Sequence, residues 1–258
     1  MRDLLTPTAE NLRAPKPGSV WRVACVAALG FAIYGFTVGF WRSPLMGVYV
    51  AAKMPLLIVL TLACNGLLNG LLGLLLGSGL NFRQSLHALL SAFAISSLIL
   101  GSVAPVTFFL AVNVPSVESA QAATAHASYL LIHVFLIAVA GLVGVARLWK
   151  LLYSYSGSKR IAGATLGSWV VGNAFLGGQF SWVLRPFFGS PGLDVAFLRE
   201  NPMQGSFYET VWRSIRQVSG GFTFEMLMIS GGILAVLIFL FFQTMNQNRN
   251  HERTEPKH

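Results

Sequence analysis

The sequence predicts an all-α polytopic membrane protein, a transmembrane helical bundle of six spans. Three observations carry that prediction. Hydrophobic residues make up 54% of the chain and charged ones only 10%, against about a quarter charged in soluble domains. Apolar runs of about 18 residues or more recur, each long enough to cross the roughly 30 Å hydrocarbon layer. The basic residues also collect in alternate connections, as the rule of positive cytoplasmic loops requires.

Residues 1–20 read as a polar, proline-containing tail with Arg2, Arg13 and Lys16. The first span is Trp21 to Trp41. Its two tryptophans, each beside an arginine (Arg22 and Arg42), stand about 30 Å apart at helical rise, the spacing of an aromatic belt at both membrane faces. The second span is Met54 to Leu76 and the third Leu86 to Val112, joined by a Gly77-Ser78-Gly79 turn. The fourth runs from Thr124 to Ala146, the fifth from Ile161 to Val183 and the sixth from Phe222 to Phe242. Residues 21–242 thus form the membrane domain and residues 243–258 a charged tail.

The net charge of +9 follows from loop asymmetry and does not call for nucleic acid. With the N-terminus in the cytoplasm, the inner set holds Arg2, Arg13, Lys16, Arg22, Arg83, Arg147, Lys150, Lys159, Arg160, Arg249, Arg253 and Lys257. The outer set is smaller: Arg42, Lys53, Arg185, Arg199, Arg213 and Arg216. Both termini are therefore expected in the cytoplasm, and the connection between the fifth and sixth spans outside. Cys25 and Cys64 fall inside spans, where a thiol is a small packing residue.

Gly66, Gly70, Gly73 and Gly77 recur at helical spacing in the second span, and Gly163 and Gly167 in the fifth. Such a face lets another backbone approach closely. It serves either packing within the bundle or a homodimer seam. Asn65 and Asn69 flank it one turn apart, and Asn173 and Gln179 are their counterparts in the fifth span. His126, Tyr129 and His133 share one face of the fourth. Buried amides and imidazoles call for hydrogen bonds between helices, or for the lining of a polar cavity. The central spans carry no Asp or Glu, and Glu225 stands at the outer edge of the sixth. No metal ligand set, phosphate loop or nucleophile elbow is present, so neither a cofactor nor catalysis is expected.

Residues 184–221 are too apolar for a solvated loop and too broken for a span. "LRPFFGSPG" cannot continue the fifth helix, because Pro186 lacks an amide donor and Gly189 and Pro191-Gly192 are turn signals. Ser206 to Val218 reads as a short amphipathic helix. It opens on a Ser206/Glu209 capping box and bears an apolar stripe through Tyr208, Val211, Trp212, Ile215 and Val218. The whole segment is expected to cap the outer mouth of the bundle. Phe187, Phe188 and Trp212 would be its anchors, Arg185 its fixed charge, and Pro186 and Gly189 its bend.

Two stretches carry a family resemblance, "CNGLLNGLLGLLLGSG" (64–79) and "FRQSLHALLSAFAISSLILGSVAPV" (82–106). Together they resemble bacterial members of the Yip family of small polytopic membrane proteins. Asp3-Leu4-Leu5-Thr6-Pro7 departs from the Asp-Leu-x-Gly-Pro stretch of the eukaryotic relatives by lacking its glycine. "LRPFFGSPG" is similar to a loop of bacterial inner-membrane proteins. The resemblance implies a non-catalytic membrane organiser and transfers no site residue.

The expected function is therefore that of a scaffold or assembly subunit of a membrane complex in the bacterial inner membrane. Its expected partners are the lipid bilayer and either a second copy or another membrane protein. The alternative is a small transporter or channel, which requires Asn65, Asn69, His126, His133, Asn173 and Gln179 to converge on one polar cavity.

Overall fold

A computed structural model describes residues 8–13, 18–189 and 192–209. The predicted sixth span, both the Trp212 anchor and most of the amphipathic helix around it, and the C-terminal tail lie outside the described residues. The chain divides into two compact units, residues 1–204 and 205–258. This boundary falls inside the segment 184–221 that the sequence reads as one cap. In the second unit, Ser206 Oγ accepts from the Glu209 amide at 3.1 Å, and a helical turn begins at residue 207.

The first unit is all-α among its described residues: α1 (Ala9–Arg13), α2 (Ser19–Phe40), α3 (Pro44–Leu75), α4 (Phe82–Asn113), α5 (Ala122–Ser156) and α6 (Lys159–Val183). Four of these, α2 to α5, are long and apolar enough to cross a membrane. The helix α6 spans 25 residues and is punctuated by Ser168, Asn173, Gln179 and Ser181.

Helix starts follow local chemistry. Ser43 Oγ accepts from the Met46 amide, and Pro44 occupies the first turn, where no amide donor is needed. Asn81 and Gln84 form a reciprocal capping box at the start of α4. Ser158 caps α6 through Ile161.

Two boundaries differ from the sequence reading. Helix α3 begins ten residues before Met54, so Lys53 belongs to it and not to an outer loop. Pro55 and Lys53 interrupt the apolar run without ending the helix, although Pro55 deprives the Ala51 carbonyl of its donor. Helix α5 continues past Ala146 to Ser156 and takes Arg147 and Lys150 with it. At 35 residues it is roughly 50 Å long, more than the hydrocarbon layer requires.

The helix α2 is the axis of the bundle and packs chiefly against α4 and α3. The approach is very close. A Cβ on Gly30 would lie 2.5 Å from the Ser97 carbonyl oxygen, and one on Gly39 would lie 2.5 Å from that of Met46. Only hydrogen fits at those contacts, so α2 sits backbone to backbone with both neighbours. In the second half of α3 the small and polar residues Asn65, Gly66, Asn69, Gly70 and Gly73 are buried, while Leu67, Leu71, Leu74 and Leu75 are exposed. This orientation suits a lipid-facing helix, because leucine gains nothing by turning inward from hydrocarbon.

Candidate functional site

The described polar side chains fall into three groups. The first lies at the end of the bundle where α2 stops and α3 starts. Lys53 is 0% exposed, and its ammonium donates to the Pro186 carbonyl at 2.8 Å. The rings of Phe187 and Phe197 stand 5.8 and 5.0 Å from the same nitrogen, within cation–π range. Leu184, Pro186 and Gly189 are buried, and Phe187, Phe188 and Val195 pack on Phe31, Tyr34, Val38, Met46 and Val50. The Arg185–Pro186 peptide is cis.

The segment after α6 is thus tied down along its length. Arg42 donates to the Leu193 carbonyl at 3.0 Å. Gly189 has φ +66, and a Cβ there would lie 2.7 Å from Arg42 Cγ, so two constraints require glycine. Arg185 donates to the carbonyls of Trp182, Pro202 and Gln204, and its guanidinium lies 3.7 Å above the Trp182 ring. Burial, and then the like charge of Arg199, hold the Arg185 pKa below its ordinary value. The Trp182 indole donates to the Gln204 carbonyl. On top of this anchored base, Leu193, Phe197, Leu198 and Met203 stand exposed, Met203 at 78%.

The second group joins α2 to α4 and α5. The Tyr34 hydroxyl meets His133 Nδ1 at 2.7 Å. The Tyr129 hydroxyl donates to the Thr37 carbonyl at 2.7 Å, and the Thr37 hydroxyl meets Thr107 at 2.7 Å. Phe188 lies against both Tyr129 and His133. Trp41 is buried. It stacks on His126 and donates to the Pro115 carbonyl. These contacts make a structural latch between helices that are far apart in sequence.

The third group sits between α3, α4 and α6. Asn65 and Asn69 are fully buried, and Trp169 Nε1 donates to the Asn69 backbone carbonyl at 2.9 Å. Asn173 donates to the Trp169 carbonyl within α6. Gln179 is half-buried further along the same helix.

The predicted glycine face has a specific environment. Gly66 and Gly70 face the Phe82 ring, and Gly73 faces Ser78, Ser85 and Trp169. Gly77 does not share that face: it lies beyond the end of α3 with φ +75, where it makes the turn. Gly163 faces Trp149, and nothing lies within 4 Å of a Cβ placed on Gly167.

Five of the six polar residues required by a single transport cavity fall into two groups. Asn65, Asn69 and Asn173 gather at the α3–α6 joint, whereas His126 and His133 bind the α2–α5 side. A groove between α2 and α4, walled by Ala32, Phe36, Ala104, Pro105 and Phe108, is open and almost wholly apolar. Among the described residues no cluster of His, Cys, Asp and Glu could hold a metal ion.

Sequence reasoning missed Lys53, Arg42, Tyr34, Thr37 and Trp169. A lone lysine just before a long apolar run, and a tryptophan amid the glycines of α6, were the available signals. No protein-family model, curated protein or solved structure matches the chain.

Proposed function

We propose that this chain is a non-catalytic integral membrane protein that acts as an assembly subunit or scaffold of a membrane complex. In this reading it has six spans, both termini in the cytoplasm of a bacterium, and residues 184–204 on the outer face of the inner membrane. The observation that carries the reading is the Lys53–Pro186 hydrogen bond. It pins an irregular segment to the bundle from below, so the segment is a preformed platform. A platform whose polar backbone is committed to Lys53, Arg42 and Arg185, and whose free side is Leu193, Leu198 and Met203, suits recognition of another protein surface.

The test is photo-crosslinking in cells from Met203 and Leu193, with lipid-facing Leu131 as control. A discrete protein adduct from the platform positions but not from Leu131 is expected. Adducts to lipid alone from all three positions would overturn the reading. Transport is the second reading, and the amides gathered at the α3–α6 joint favour it. Solute flux in proteoliposomes that is abolished by Asn69→Leu would replace the first reading with the second.

A further inference from the structure

Five buried polar atoms between α3, α4 and α6 have no hydrogen-bond partner among the described residues: Asn65 Nδ2, both ends of the Asn69 amide, Ser85 Oγ and Thr165 Oγ1. All four side chains are at most 1% exposed. Several contacts place them around one indole. Trp169 Nε1 is bonded to the Asn69 carbonyl. A Cβ on Gly73, one turn beyond Asn69, would lie 3.5 Å from Ser85 Oγ and 3.6 Å from the Trp169 ring. One on Gly172 would lie 2.9 Å from Asn65 Nδ2. Pairing of 65 with 172 and of 69 with 169 makes the two helices antiparallel. Thr165, one turn before Trp169, therefore stands level with Gly73 and Ser85.

The chemistry of the orphaned atoms selects the occupant. Two amide nitrogens can only donate, one amide oxygen can only accept, and two hydroxyls can do either. A cation would satisfy the oxygens and repel the amide nitrogens, and an anion would do the reverse. None of these side chains carries a charge to offset an ion. The occupant must be neutral, small enough for an enclosed site, and able both to donate and to accept.

We propose that this nest is a binding site for ordered water, which bridges α3, α4 and α6 where their side chains do not meet directly. One buried water makes about three hydrogen bonds, so a pair of waters is enough to satisfy all five atoms. The water links Asn69 to Thr165 and Ser85, and the α3–α6 joint is held by it as well as by the Trp169 bond.

The test is carried out on the full chain in detergent. Thr165→Val exchanges a hydroxyl for a methyl of the same shape, and Ser85→Ala removes its partner across the nest. If water holds these hydroxyls, each substitution lowers Tm, by about 2–4 °C, and the double variant loses less than the sum. If the hydroxyls meet nothing, Thr165→Val leaves Tm unchanged or raises it, which overturns the proposal. An independent readout is the emission of Trp169, taken as the difference between the native chain and Trp169→Phe. The expected result is an increase in heavy water, because an indole beside exchangeable water is quenched by it. An emission with no solvent isotope effect would mean that the nest is dry.

Discussion

Lys53 and Pro186 lie 133 positions apart and are joined by a 2.8 Å hydrogen bond in which a buried ammonium meets a backbone carbonyl. A lysine head so placed has lost water on all sides. Its charge is offset by one carbonyl and two aromatic faces, an arrangement that costs desolvation and is retained only if the bonded geometry holds. The pair determines where the chain goes after α6. Pro186 ends the helix, its carbonyl finds Lys53, and the residues that follow are laid over the end of the bundle.

Replacing Lys53 by methionine keeps the stem and removes the donor. The Pro186 carbonyl then loses its partner, at a cost of about 1.5–3 kcal/mol for a bond to a charged group. The expected outcome for Lys53→Met is faster proteolysis within residues 184–204 while α2 to α5 stay protected. Equal cleavage rates in the native and variant chains would show that the aromatics, Arg42 and Arg185 hold the segment without Lys53.

Glycines give a second, graded expectation. Gly30→Ala drives a Cβ into the Ser97 carbonyl, where backbone cannot yield, and should cost about 1–3 kcal/mol or more as overpacking does. Gly167→Ala meets open space in the middle of a helix and should be neutral or stabilising by about 0.5–1 kcal/mol. Thermal unfolding in one detergent orders the two. A Gly30→Ala protein as stable as Gly167→Ala would contradict the close approach of α2 to α4.

The latch through His133 should be visible as coupling. Tyr34→Phe removes one hydroxyl, with an expected loss of about 1 kcal/mol. His133→Leu strands that hydroxyl and should cost more. Because the two side chains share one 2.7 Å bond, the double variant should fall short of additivity by about 0.5–3 kcal/mol. Strict additivity would mean that each residue is held by other neighbours.

Much of this fold was legible from hydropathy. Long apolar runs announced α2 to α5 because lipid demands such runs. What failed was the treatment of polar residues inside helices. Lys53 looked like part of a loop because a charge is costly in a helix crossing lipid, yet Ser43 and Pro44 already signalled an earlier helix start. Arg147 and Lys150 looked like a turn, yet Gly157 in the left-handed conformation is where α5 stops. The glycines of α2 passed unremarked because Gly30, Gly35 and Gly39 are spaced five and four apart and carry no polar neighbour to mark the face. Which amide meets which carbonyl is a property of the folded bundle, and neither the Lys53–Pro186 nor the Asn69–Trp169 bond follows from local pattern.

Orientation can be read from one cysteine. Cys25 and Cys64 are first replaced by alanine; both are exposed on the bundle and pack against little. Met203→Cys then supplies a thiol at the most accessible position of the platform. In intact cells it should react with a membrane-impermeant maleimide. Reaction only after the cells are opened would invert the topology drawn from the lysine and arginine distribution.

The contributions of Phe188 and Arg185 to the platform should differ in kind. Phe188 is half-buried against Tyr129 and His133 and packs into both adjoining clusters of the core. Its truncation removes part of the roughly 1.5–3 kcal/mol that full burial of such a side chain contributes. That loss falls on the whole bundle, so Phe188→Ala should lower the unfolding temperature. Among the described residues Arg185 bonds to Trp182, Pro202 and Gln204, all near the end of α6 or in the segment after it. Arg185→Ala should therefore free the 193–204 stretch to protease while leaving global unfolding nearly unchanged. Arg185→Lys should not restore protection, because one ammonium cannot span three carbonyls and also cover the indole face. Should Arg185→Ala lower the unfolding temperature as much as Phe188→Ala, the guanidinium is part of the core and the platform does not open independently of the bundle.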